Sequence, residues 1–123
     1  MSEHDLTIRD RLEDILESIG LIEEWSKGMT ELHDFMISPG RVMAFNACVM
    51  RLQVIGEHVG KLLKEQGKPL ESYTEIPWQA IYGMRNIISH EYGNVDETIV
   101  VSVINDDLPK LKAIIKDLLS QYK

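Results

Sequence analysis

One long helix constrains this fold more than any other feature of the chain. Ser38-Pro39 is a strong helix start: serine serves as N-cap, and proline takes the first helical position, where its missing N–H costs nothing. Gly67-Lys68-Pro69 is an equally clear stop. Between them the spacing predicts a helix over 40–66, on the order of 40 Å long at about 1.5 Å per residue. Its first half, Val42 to Met50, is apolar nearly all round. A helix of that character is covered on more than one side, so it is the central helix of a bundle or part of a seam between two copies. Gly56 and Gly60, four apart, let another helix come close.

The remaining segments read as helices that pack around it. From Asp5 to about Lys27, Ile8, Leu12, Ile15, Leu16, Ile19 and Ile22 recur at three- and four-residue spacing, and Arg9, Asp10, Glu13, Asp14 and Glu17 form the solvated side. Gly28 closes this helix. A short helical turn is expected over 30–37; its adjacent His33 and Asp34 point in different directions and read as surface residues. The loop to Glu75 is polar, Pro77 opens a further helix that Gly93 ends, and Trp78 anchors it inward. Asn94 or Asp96 caps the last helical stretch. Its β-branched Ile99, Val100, Val103 and Ile104 admit a short strand locally, but the neighbouring helices favour helix. Asn105-Asp106-Asp107 before Pro109 marks a kink or a fresh start, and an amphipathic stretch then runs to Gln121. The expected fold is all-α: an antiparallel bundle of four to five helices, one domain over 1–123, dimerising through the helix that follows Pro77.

Composition excludes several classes. The polar, acidic N-terminus lacks a signal-peptide pattern, and no run approaches the roughly 18 apolar residues of a membrane span, so the expectation is a cytoplasmic protein without membrane contact. The single cysteine, Cys48, forms no internal disulfide and reads as a buried, inert thiol. No Cys/His cluster has zinc spacing, so neither metal nor cofactor is expected. The net charge of −7 runs against nucleic-acid binding by long-range attraction and suits a protein partner equally well.

Chemistry concentrates in Met84-Arg85-Asn86-Ile87-Ile88-Ser89-His90-Glu91-Tyr92-Gly93. At about 100° per residue, Gln79, Gly83, Asn86 and His90 share one stripe of the helix, while Ala80, Ile81, Met84, Ile87 and Ile88 face a core with Trp78 at their edge. Arg85 and Tyr92 lie near each other at the border. Histidine exchanges protons near neutral pH, arginine presents a charged fork to phosphate, and asparagine orients either a histidine or a hydroxyl. Together they suit RNA cleavage without a metal: His90 handles a proton and Arg85 stabilises the charge on the phosphorane. One histidine is few for a reaction needing acid and base, and a two-fold axis would supply a second. The same residues also have a purely structural reading, with His90 on the helix dipole and Arg85 in an ion pair. His58 reads as exposed or bridging. Glu57 reads as an ion-pair partner of a neighbouring helix, and Arg85 is a partner it would orient.

The run from Ile76-Pro77-Trp78 to Asn94-Val95-Asp96 resembles the HepT-like branch of the HEPN superfamily, as do Ile55-Gly56-Glu57 and Asp107-Leu108-Pro109-Lys110-Leu111. That family carries Arg, four residues, His, any residue, Tyr, matched here by Arg85, His90 and Tyr92, with polar Asn86 directly after the arginine. The resemblance covers roughly the last two-thirds of the chain. It implies a prokaryotic toxin: a metal-independent endoribonuclease that acts on RNA as a homodimer and is paired with a minimal nucleotidyltransferase antitoxin. Arg85 and His90 are then catalytic, Asn86 supporting, and Tyr92 the acceptor of AMP, whose bulk and charge would silence the site. Two further readings stand beside it: a non-catalytic helical partner or substrate of a nucleotidyltransferase, and a plain helical binding module.

Overall fold

The computed structural model describes residues 7–83 and 96–122. Among these residues the chain is helical with no strand. Helix α1 spans Ile8–Trp25, α2 Leu32–Met36 and α3 Pro39–Leu63. Helix α4 begins at 78 and is described to 83. Helix α5, Glu97–Ser102, passes through a π-helical turn, Val103–Asp107, into α6, Leu108–Gln121.

Local chemistry sets most of these ends. Thr7 caps α1 through a capping box: its hydroxyl accepts from the Asp10 N–H, and the Asp10 carboxylate accepts from the Thr7 N–H. Ser38 caps α3 by accepting from the Arg41 N–H, with Pro39 inside the first turn. Helix α3 ends at Leu63, three residues short of the expected Gln66. The N–H groups of Lys64 and Glu65 turn back to the carbonyls of Lys61 and Leu62, and Gly67 then takes a left-handed conformation at φ +85°. Asp96, rather than Asn94, caps α5 by accepting from the Thr98 and Ile99 N–H groups. Asn94 lies outside the described residues.

The expected kink at Asn105–Pro109 is instead a wider turn inside one continuous helical path. Pro109 has no N–H to return to the carbonyl four residues back. The π turn absorbs this, with the Leu108 N–H reaching the Val103 carbonyl. The strand alternative for Ile99 to Ile104 does not occur.

Packing joins these elements antiparallel. Helix α1 meets α3 through Cys48 Sγ on the Ile22 carbonyl, Arg51 on the Ser18 hydroxyl and His58 on Asp14, so one chain number rises as the other falls. It meets α6 in the same sense, with Glu23 paired to Lys112 and Arg9 donating to the Tyr122 carbonyl. Leu12, Ile15, Ile19 and Ile22 of α1 are fully buried between Ile55, Val59 and Leu62 of α3 and Leu111, Ile115 and Leu118 of α6. Phe35 of α2 meets Phe45 edge-to-face, with ring centroids 5.3 Å apart. The α3–α4 connection is less polar than its sequence suggests, because Leu70 and Ile76 are buried in the core.

Candidate functional site

Helix α4 is described from 78 to 83, directly ahead of the sequence motif, and the fold fixes this start firmly. Ile76 and Ile81 are buried, and Trp78 and Tyr82 pack against the core. The Pro77 carbonyl accepts from the Ala80 and Ile81 N–H groups, which begins the helix. The Trp78 indole N–H donates to the Tyr73 carbonyl over 2.6 Å, so the anchor also satisfies its polar atom. The Tyr82 ring lies directly on Gly60 of α3, and any Cβ there would collide with two ring carbons. Close helix approach at Gly60 is therefore real, and its agent is an aromatic ring.

The polar stripe of α4 begins as expected. Gln79 is exposed, and among the described residues nothing lies within 4 Å of a Cβ built on Gly83. Ala80, expected on the core side, is exposed. It is too small to hold that position, and Trp78, Ile81 and Tyr82 set the inward face instead. Arg85, Asn86, His90 and Tyr92, together with Met84, Ile87 and Ile88, lie outside the described residues.

Glu57 and His58 are adjacent, yet α3 sends them to different surroundings. Glu57 is about 60° round the helix from Gly60 and is exposed, which sets it beside the side that takes Tyr82. His58 is about 160° from Gly60 and is buried at 8% exposure against α1. This corrects the expectation of an exposed His58, while its bridging role stands. Its Nδ1 accepts from Arg11 at 3.2 Å, and its Nε2 donates to Asp14 at 3.3 Å. Those contacts fit the neutral ring. Burial pushes its pKa below the ordinary 6.5, Asp14 pulls it back up, and Arg11 lowers it again. His58 is a link between helices, turned away from α4. A signal for it was present in the chain, because Cys48, Arg51, Ile55 and His58 repeat at three and four residues on one stripe.

Other candidates resolve into structure. Asp34 accepts from the Thr30 and Glu31 N–H groups, which holds its carboxyl below the ordinary value, so it caps α2 and His33 stays exposed. Cys48 is fully buried, and desolvation pushes its thiol up to about 11. Among the described residues, no group of three or more His, Cys, Asp or Glu side chains could hold a metal ion. No helix among them is long and apolar enough to cross a membrane.

With the helical fold and the anchored start of α4 in view, comparison defines the class. The Ribonuclease HepT-like family model matches residues 15–118. A protein of Caldanaerobacter subterraneus subsp. tengcongensis named "Putative RNase" is 35% identical over 95% of this chain and 98% of its own. A "Probable ribonuclease HepT" of Thermococcus cleftensis is 34% identical over 85% of this chain and 88% of its own. A Methanocaldococcus jannaschii protein named "Gamma-glutamylcyclotransferase and putative RNase" is 40% identical over 82% of this chain, which spans 42% of that relative's length. No solved structure gives a significant match. The chain belongs to the HepT-like ribonuclease family, and that membership sets its class as an RNA-cleaving enzyme.

Proposed function

We propose that this chain is the toxin of a prokaryotic toxin–antitoxin pair: a metal-independent endoribonuclease of the cytoplasm, built as one domain over 1–123. The observation that carries the reading is family membership together with an intact Arg85, Asn86, His90 and Tyr92 set. His90 moves the proton of the attacking 2′-hydroxyl or of the leaving oxygen. Arg85 neutralises the phosphorane, and Asn86 orients the histidine or the ribose. Glu57, on the border of α3 beside α4, orients Arg85.

The site is composite across a homodimer, so that two histidines serve as acid and base. Support comes from the long helix itself. Met43 and Met50 of α3 are 70% and 56% exposed and lie two turns apart on one stripe, with Glu57 two turns further along. A second copy covering that stripe would approach the Glu57 side of the bundle. Tyr92 accepts AMP from a minimal nucleotidyltransferase antitoxin, and the added phosphate competes with RNA for Arg85.

The test is cleavage of total cellular RNA by purified protein whose mass shows no modification, in excess EDTA, beside His90→Ala and Arg85→Ala. The wild type cuts and neither variant does. Equal inertness of wild type and His90→Ala, with the assembly intact, would return the chain to the alternative reading, a non-catalytic partner of a nucleotidyltransferase.

A further inference from the structure

We infer that the cavity between the end of α3 and the start of α4 is a subsite for one unpaired nucleobase and its phosphate in the RNA; the inference rests on the ribonuclease reading above. The cavity holds about 480 Å³, within the range of small-ligand sites and ample for a base and its sugar. Leu62, Leu70 and Ile76 form apolar walls, and the half-buried Trp78 offers an indole to them. Lys68 and Glu71, both exposed, add one cation and one carboxylate to a lining that also includes Leu63, Tyr73 and Thr74. That combination matches the parts of a nucleotide. Aromatic and apolar surface takes the base face, a carboxylate accepts from an exocyclic amino group, and an ammonium meets phosphate.

The walls are preformed. Trp78 is held by its bond to the Tyr73 carbonyl, and the Tyr73 hydroxyl donates to Asp117 on α6. Gly67 and Lys68 are both left-handed, at φ +85° and +45°, and carry the lysine into the lining. Lysine is a costly choice at such a backbone position, where glycine is free of the Cβ clash. The overall charge supplies the need for such a subsite. At −7 the protein gains little from long-range attraction to phosphates, so affinity must come from local contacts to bases. Trp78 also stands seven residues ahead of Arg85 in the sequence.

The experiment uses the purified full chain and two readouts. Binding of a short single-stranded RNA, AMP and UMP is followed by calorimetry, and KM and kcat are measured for cleavage of the RNA. The carboxylate predicts tighter binding of AMP, which has an amino group, than of UMP, and Glu71→Ala removes that preference. Lys68→Gly relieves the backbone and removes the charge. It weakens RNA and AMP binding and raises KM by about tenfold, with kcat kept and thermal stability unchanged or raised. A purely structural lysine would give the stability gain with no change in binding. Active protein whose KM and RNA affinity ignore both substitutions overturns the subsite and leaves the ribonuclease reading standing. AMP affinity that responds while RNA affinity does not assigns the cavity to a free nucleotide, and likewise overturns it. Protein that cuts nothing, yet loses RNA affinity on both substitutions, supports the subsite and overturns the ribonuclease reading.

Discussion

Two faces of α3 show composition and burial running in opposite directions. Toward α1, Cys48, Arg51, Ile55 and His58 follow one stripe, and the polar members find partners within the chain: Arg51 the buried Ser18 hydroxyl, His58 both Arg11 and Asp14. On another stripe Met43 and Met50 stand largely open. The first face contains more polar atoms and is buried; the second contains flexible, apolar methionines and is exposed. Burial therefore follows what neighbouring elements supply and not the polarity of the stripe. A polar group can enter a core once its hydrogen bonds are met, and an apolar side chain stays open where no neighbouring element reaches it.

That contrast can be broken from either side. The largest effect is expected on the closed face. Ile55 is fully buried, and Ile55→Ala should cost about 2–5 kcal/mol of unfolding free energy, measured by urea denaturation. A loss below about 1 kcal/mol would mean that the α1–α3 seam is looser than its burial implies. Gly60→Val comes next. It places side-chain atoms where the Tyr82 ring lies, and overpacking of this kind costs about 1–3 kcal/mol. A Tyr82→Ala background should recover part of that loss, and the absence of recovery would show that the clash is elsewhere.

His58 tests the polar side of the closed face through pH. Its folded pKa is depressed below 6.5, chiefly by burial, so between the two values the unfolded chain binds more protons than the folded one. Stability is then fully present above about pH 6.5 and is lost as pH falls toward the folded value. His58→Gln should flatten the pH dependence of the melting temperature in that window, where an unchanged slope would shift the effect to another group. The smallest effect on stability falls on the open face. Met43→Glu with Met50→Glu should change unfolding free energy by no more than about 0.5 kcal/mol. Sedimentation should nonetheless show a shift toward monomer, with loss of RNA cleavage. Unaltered association would remove this stripe from the proposed dimer seam.

The start of α4 explains why parts of the site were legible and parts were not. Pro77, Trp78 and Ile81 could be recognised from residue type alone, since a proline in the first turn, an amphipathic aromatic and a helical repeat have local causes. That Tyr82 would rest on Gly60 could not, because the contact joins residues on separate helices and depends on the phase of both. Glu57 and His58 make the same point within two residues. Their neighbours in sequence are shared, but His58 is buried against α1 while Glu57 stays exposed.

By itself the sequence determined the all-α class, the capped start of the long helix, the burial of Cys48 and the family that carries the Arg85, Asn86, His90 and Tyr92 motif. Each rests on short-range periodicity, end chemistry or a contiguous run of residues. Only the tertiary structure decided that His58 is buried against α1, that Tyr82 rests on Gly60, and that Met43 and Met50 stay open. Those outcomes depend on which elements meet. An apolar helix of this length has more faces than its neighbours can cover, and only packing chooses among them.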